Sequence, residues 1–198
     1  MQALVLDATS RTACLQQIPK PTPGPNEILI EVHSIALNPV DALYVSNPLG
    51  SSGRVIGSDF AGTVIKPATA PNSQHHEVGQ RVAGFLQGAS SVNDRPGAFA
   101  QFLVCPADLV WKIPESMSWE QAAAVSLCAL TAAQALHTRL GLEAPFDWPA
   151  SSEKAPASAV RASPSYVFIY GASTSVGMYA AQLVRRSAEA SGLSLIHI

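Results

Sequence analysis

Charge is scarce in this chain: 13% of its 198 residues are charged, with 12 Lys and Arg against 14 Asp and Glu for a net charge of -2. A nucleic-acid partner is therefore not expected, since such binders carry a clustered basic face. Cysteine is scarcer still. Cys14, Cys105 and Cys128 lie far apart and cannot all pair, which excludes a disulfide framework and makes a reducing, cytoplasmic setting the expectation. No apolar run reaches the roughly 18–20 residues that span a bilayer, and residues 1–11 lack the basic-then-apolar order of a secretory signal. A membrane is thus not expected as a partner either. What the chain has is apolar residues, 47% of the total, enough to build a core and to argue against wholesale disorder. Its length suits one domain and a substantial part of a second, at about 100–200 residues per domain.

The first half reads as strands. Residues 3–6 are a short apolar run, and 28–35 (ILIEVHSI) alternates apolar and polar side chains with β-branched enrichment. Between them Pro19, Pro21, Pro23, Gly24 and Pro25 form a stiff turn, because a fixed φ and a missing amide proton suit neither helix nor central strand. Further strands are expected at 62–66, 81–85, 99–106 and 109–112, punctuated by Gly57, Gly62, Gly79, Gly84 and Gly97. Short strands with regular turn signals point to a small antiparallel barrel. The period then changes: Ser118 is a candidate N-cap, and the Ala-rich 122–136 places apolar residues at helical spacing.

Residues 142–164 are mostly Ala, Ser and Pro without periodicity and read as a loop. The dense apolar stretch 166–170 (YVFIY) is expected to be a strand buried on both faces of a parallel sheet. After it come the small-residue turn Gly171-Ala-Ser-Thr-Ser-Val-Gly177 and a helix with Val176, Ala180, Leu183 and Val184 on one stripe. Residues 193–198 read as the start of another strand. Strand, small-residue turn and helix are the components of a phosphate site, since amides at a helix N-terminus and the macrodipole favour an anion near the main chain. The hydroxyls of the turn are possible further donors. A strict GxGxxG is absent, because Ala172 and Thr174 stand at the first two glycine positions and only Gly177 keeps the third. The turn alone leaves both a nucleotide site and an ordinary strand–helix connection open.

Five stretches occur in order: Asn38-Pro-Val-Asp41, Gly57-Ser-Asp-Phe-Ala-Gly62, Val78-Gly-Gln-Arg-Val-Ala-Gly84, Gly97-Ala-Phe-Ala-Gln101, and Ile113-Pro with Trp119-Glu-Gln-Ala-Ala-Ala124. Together they resemble the medium-chain dehydrogenase/reductase superfamily in its zinc-independent, quinone-reductase-like branch. Within that branch the chain looks most like the fungal trans-acting enoyl reductases of polyketide biosynthesis. The resemblance implies an α+β, then α/β, architecture: a GroES-like β-barrel catalytic domain at 1–125, then an incomplete Rossmann domain at 126–198 carrying the loop at 142–164. With only the first strand, turn and helix of that second domain present, the chain is expected to be a truncated, inactive or weakly active fragment.

The same resemblance implies NADPH as cofactor. Asn38, Val40, Asp41, Ala42 and Leu43 would line the nicotinamide end, Ser173, Thr174, Ser175, Val176 and Gly177 would hold the phosphates, and Thr131, at the start of a helical turn, would reach both nicotinamide and substrate. Gln134 and Thr138 would join Thr131 on the substrate side. Many relatives carry a Lys where this chain has Leu43, so any contact made by that Lys is absent here. The residue that separates NAD from NADP follows the second strand of such a domain, so NADPH rests on the resemblance alone.

No metal is expected. The zinc-dependent cousins use a Cys where this chain has Asn38 and a His-Glu pair where it has Ser58-Asp59, and Asn and Ser are poor zinc ligands. His75 and His76 sit in a polar stretch that reads as a solvated loop, and His33 and His137 read as packing or surface residues. The implied reaction is hydride transfer to the β-carbon of an α,β-unsaturated carbonyl, a small-molecule or carrier-bound enoyl thioester, with a polyketide synthase as a candidate partner. No catalytic acid is assigned. A quinone or small-enal reductase of the same superfamily, and a non-catalytic binding or structural module, remain the alternatives.

Overall fold

Strand β3 (Glu27–Ala36) organises the first half of the chain in this computed structural model, which describes residues 1–142, 144 and 166–191. Ile28, Leu29 and Ile30 are buried in succession, because both faces of β3 are covered there, whereas Glu31, His33 and Ile35 are exposed at every second position. On its two sides β3 pairs with β4 (Asp59–Lys66) and with β6 (Phe102–Pro106); β5 (Arg81–Phe85) and β7 (Val110–Lys112) complete a five-stranded sheet of order β6-β3-β4-β5-β7. Every pairing is antiparallel. A hairpin of β1 (Gln2–Asp7) and β2 (Thr12–Gln17) is tied on by bridges from Ala3 to Ala100 and from Val5 to Val55. The main core gathers Leu6, Ile28, Ile30, Phe60, Val64, Val82, Leu103 and Cys105. Burying an aliphatic or aromatic side chain of this size contributes about 1.5–3 kcal/mol.

Strand β2 was invisible to periodicity, because its side chains are almost all exposed and it is held by pairing with β1. Helix α1 (Pro39–Ser46) was not expected either, although its start is marked by Asn38 as N-cap, Pro39 at the first helical position and Asp41 two residues later. Ser118 does cap α2 (Trp119–Ala123): its Oγ accepts the Gln121 amide at 3.2 Å and the Gln121 side chain accepts the Ser118 amide at 3.0 Å. The single helix expected over 122–136 is instead broken. Residues after α2 resume as α3 (Ser126–Ala133) and continue into a π-helical turn, Gln134–Arg139, where the Leu140 amide reaches back to the Ala135 carbonyl at 3.0 Å. Trp119 fastens α2 to the sheet, with the His33 ring stacked at 4.5 Å and the Arg81 guanidinium 4.2 Å from its ring.

The chain divides into two compact units, Met1–Leu127 and Cys128–Ile198. In the second, α4 (Ser175–Ser191) lays Val176, Ala180, Leu183 and Val184 against Ala132, Leu136, Val167 and Ile169, the stripe that helical spacing had implied. The strand expected at 166–170 carries no ladder among the described residues. Val167 and Ile169 pack inward, but Phe168 and Tyr170 are 84% and 93% exposed, so only one face is buried. Most of the 142–164 loop and all of 193–198 lie outside the described residues. No helix among the described residues is long and apolar enough to cross a membrane.

Candidate cofactor-binding site

Two groups of the expected site residues are assembled, each within its own unit. The first begins at Gly57. Its φ is +97°, and a Cβ there would lie 2.1 Å from the Phe99 ring, so only glycine turns the chain into Ser58 and Asp59. These two side chains meet the start of α1 in crossed pairs. Ser58 Oγ donates to Asp41 Oδ1 at 2.7 Å, and Asn38 Nδ2 donates to Asp59 Oδ2 at 2.9 Å. Asp41 Oδ2 also accepts the Asn38 amide at 2.8 Å, and Asp59 Oδ1 accepts the Leu127 amide at 2.9 Å. All four side chains are buried, Asp59 to 1% exposure.

Electrostatics follow from that burial. Loss of water pushes the Asp59 carboxyl up to about 6, opposed by the hydrogen bonds from Asn38 and Leu127 and aided by repulsion from Asp41. Burial likewise raises Asp41, against the bonds from Ser58 and Asn38. Of the remaining residues expected at this end, Val40 is half-buried and Ala42 and Leu43 are exposed. Sequence reasoning compared Ser58 and Asp59 only with metal ligands and missed their role as holders of Asn38 and Asp41. An acidic residue at the head of a largely apolar strand was the available signal.

Among the described residues no group of three or more His, Cys, Asp or Glu is gathered as metal ligands would be. His76 corrects the reading of a solvated loop. It is 1% exposed, with Nε2 2.8 Å from the Ala107 carbonyl and Nδ1 3.1 Å from Gln80 Nε2. A carbonyl can only accept and an amide NH2 can only donate, so the ring is the neutral tautomer protonated at Nε2. Buried there, His76 ties the residue before β5 to the turn after β6.

The second group is the turn before α4. Thr174 caps the helix: its hydroxyl donates to the Gly171 carbonyl at 2.8 Å and accepts the Gly177 amide at 3.1 Å, while the Met178 amide reaches the Thr174 carbonyl at 2.8 Å. The Thr174 hydroxyl proton is therefore committed within the turn, whereas, among the described residues, the exposed Ser173 and Ser175 hydroxyls make no bond inside it. Gly177 is required by close approach, since a Cβ there would lie 2.2 Å from the Gly171 carbonyl. Among the described residues no acceptor lies on the amides of Ser173, Ser175 and Val176. These amides open a 17-residue helix, the donor set that suits a phosphate. Thr131, Gln134 and Thr138 are all exposed along α3 and the π-helical turn; Thr131 lies inside α3 instead of starting a turn.

The alcohol dehydrogenase GroES-like domain matches residues 24–115. The trans-enoyl reductase traG of Penicillium crustosum is 34% identical over 185 residues, 92% of this chain and 48% of that protein. An alcohol dehydrogenase superfamily protein from Novosphingobium aromaticivorans superposes with a TM-score of 0.73 at 25% identity, covering 94% of this chain and 51% of the other. A mycobacterial protein solved complexed with NADPH gives 0.55 at 31% identity, over 69% of this chain and 39% of the other. The chain spans about half the length of the curated relatives it matches. Residues 24–115 thus carry an alcohol dehydrogenase GroES-like domain, and over most of its length the chain is similar to fungal trans-enoyl reductases and to an alcohol dehydrogenase superfamily protein.

Proposed function

We propose that this chain is part of a cytoplasmic, NADPH-dependent, zinc-independent oxidoreductase of the enoyl reductase type, acting on an α,β-unsaturated thioester in polyketide biosynthesis. The observation that carries the reading is the turn at 171–177, where small residues leave the amides of Ser173, Ser175 and Val176 without acceptors among the described residues. Names of the relatives support the reaction type, and the mycobacterial neighbour supports the cofactor.

Under this reading Ser173, Ser175 and Val176 hold the phosphates through main-chain amides and two hydroxyls, Gly177 leaves room for the close turn, and Thr174 keeps that turn closed. Asn38, Val40, Asp41, Ala42 and Leu43 receive the nicotinamide end. Thr131, Gln134 and Thr138 bind the substrate, and the Thr131 hydroxyl is the proposed donor to its carbonyl oxygen, where negative charge develops. Bound NADPH supplies a hydride for the β-carbon of the thioester. Asn38 and Ser58 offer neither thiolate nor imidazole, which supports chemistry without zinc.

An NADPH-consumption assay on this chain and on a chain extended to the relatives' full length tests the reading. Crotonyl and longer enoyl thioesters are expected to be reduced by the extended chain, and a quinone is not. Turnover of the quinone alone favours a quinone reductase. No cofactor binding by the extended chain leaves the non-catalytic module.

A further inference from the structure

The 38–43 segment is held from below by side chains of one dipeptide, Ser58 and Asp59, at the head of β4. Of the two, Asp59 makes the longer connection. Its Oδ2 accepts Asn38 Nδ2 and its Oδ1 accepts the amide of Leu127, in the first turn of α3. We propose that Asp59 is the positioning residue of this site, fixing Asn38 and the segment that follows it in the conformation that receives the nicotinamide end of the cofactor. The proposal rests on the cofactor reading above.

Three features carry it. Asp59 is 1% exposed, so water does not replace a bond that is lost. Ala42 and Leu43 are exposed, so the fixing contacts come from the buried ends at Asn38 and Asp41. Finally, both Asp59 oxygens meet N–H donors, a pattern an amide cannot reproduce, because its NH2 would face either Leu127 N–H or Asn38 Nδ2.

The test follows from that polarity. Asp59→Asn leaves one donor facing another. Pairing it with Asn38→Asp reverses donor and acceptor between the two positions, keeps an acceptor for Leu127 and restores the net charge. NADPH affinity is read by fluorescence titration and local opening by amide hydrogen exchange, both on the 198-residue chain. Asp59→Asn is expected to speed exchange around 38–47 and 126–131 and to weaken NADPH about tenfold, the scale of one bond to a charged group. The double variant is expected to recover most of the exchange protection, the readout that does not depend on Asn38 meeting the cofactor. A lowered unfolding temperature with unchanged NADPH affinity of the folded protein overturns the proposal, as does a double variant whose exchange around 38–47 and 126–131 stays fast. If Asp59→Asn does not fold, recovery of folding with slow exchange around 38–47 in the double variant supports the proposal and its failure overturns it. If neither the 198-residue chain nor the chain extended to the relatives' length binds NADPH, the cofactor reading fails by itself, and unchanged exchange in Asp59→Asn then overturns the positioning role separately.

Discussion

The Leu127 amide donates to Asp59 Oδ1 at 2.9 Å, across 68 residues of sequence. One carboxylate oxygen thereby becomes the acceptor for an amide in the first turn of α3, where the first four N–H groups of any helix lack intrahelical partners. The second Asp59 oxygen holds Asn38. A single buried acid thus joins the head of β4, the cap of α1 and the start of α3.

That burial sets a pH dependence. Asp59 titrates near 3.8 when exposed and at about 6 in the fold. Between those values the folded chain keeps a proton that the unfolded chain has released, so this contribution to stability is full below about pH 4 and is lost as pH rises through about 6. The loss amounts to about 3 kcal/mol. Urea unfolding of wild type and Asp59→Asn at several pH values checks it: wild type is expected to weaken relative to the variant between about pH 4 and 7. A stability difference independent of pH contradicts it.

His76 is a second buried polar anchor. Replacing it by Leu strands the Ala107 carbonyl and the Gln80 amide, both now bonded to the ring, at a cost of about 2–4 kcal/mol. His76→Gln is expected to recover part of this. Denaturation midpoints of the two variants measure the difference.

Gly177→Ala forces a Cβ onto the Gly171 carbonyl 2.2 Å away. The turn must open, which costs about 1–3 kcal/mol and moves the amides of Ser173, Ser175 and Val176. NADPH titration is expected to show at least about a tenfold loss of affinity; an undisturbed affinity would remove the turn from the cofactor site.

Phe168 and Tyr170 present aromatic side chains that are 84% and 93% exposed. Contiguous exposed apolar surface binds dyes and promotes association. Phe168→Ser with Tyr170→Ser is expected to lower the fluorescence of a bound hydrophobic dye and the light scattering of concentrated solutions. Substituting Val167 or Ile169, which pack against α4, is expected to raise both.

Much of the antiparallel sheet was legible: 81–85 coincides with β5, and 28–35 lies within β3. Ser118 and the apolar stripe of α4 were legible too, because capping and helical spacing act over three or four residues. Strand β2 was not, since an exposed edge held by main-chain pairing leaves no alternation to detect. Asn38 and Asp41 entered the candidate site by family likeness. Their burial, and the part played by Ser58 and Asp59, could not be read from spacing.

Local pattern by itself determined where most strands of the sheet run, where the small-residue turn falls and which stripe of α4 is covered, because each depends on neighbours a few residues away. Tertiary structure alone decided that 122–136 breaks into two helices, that His76 is buried, and that Asp59 holds Asn38 and Leu127. Those outcomes depend on hydrogen bonds spanning 68, 31 and 21 residues. A partner at such a separation exists only after the chain has closed the intervening loops, and no periodicity along the chain encodes it.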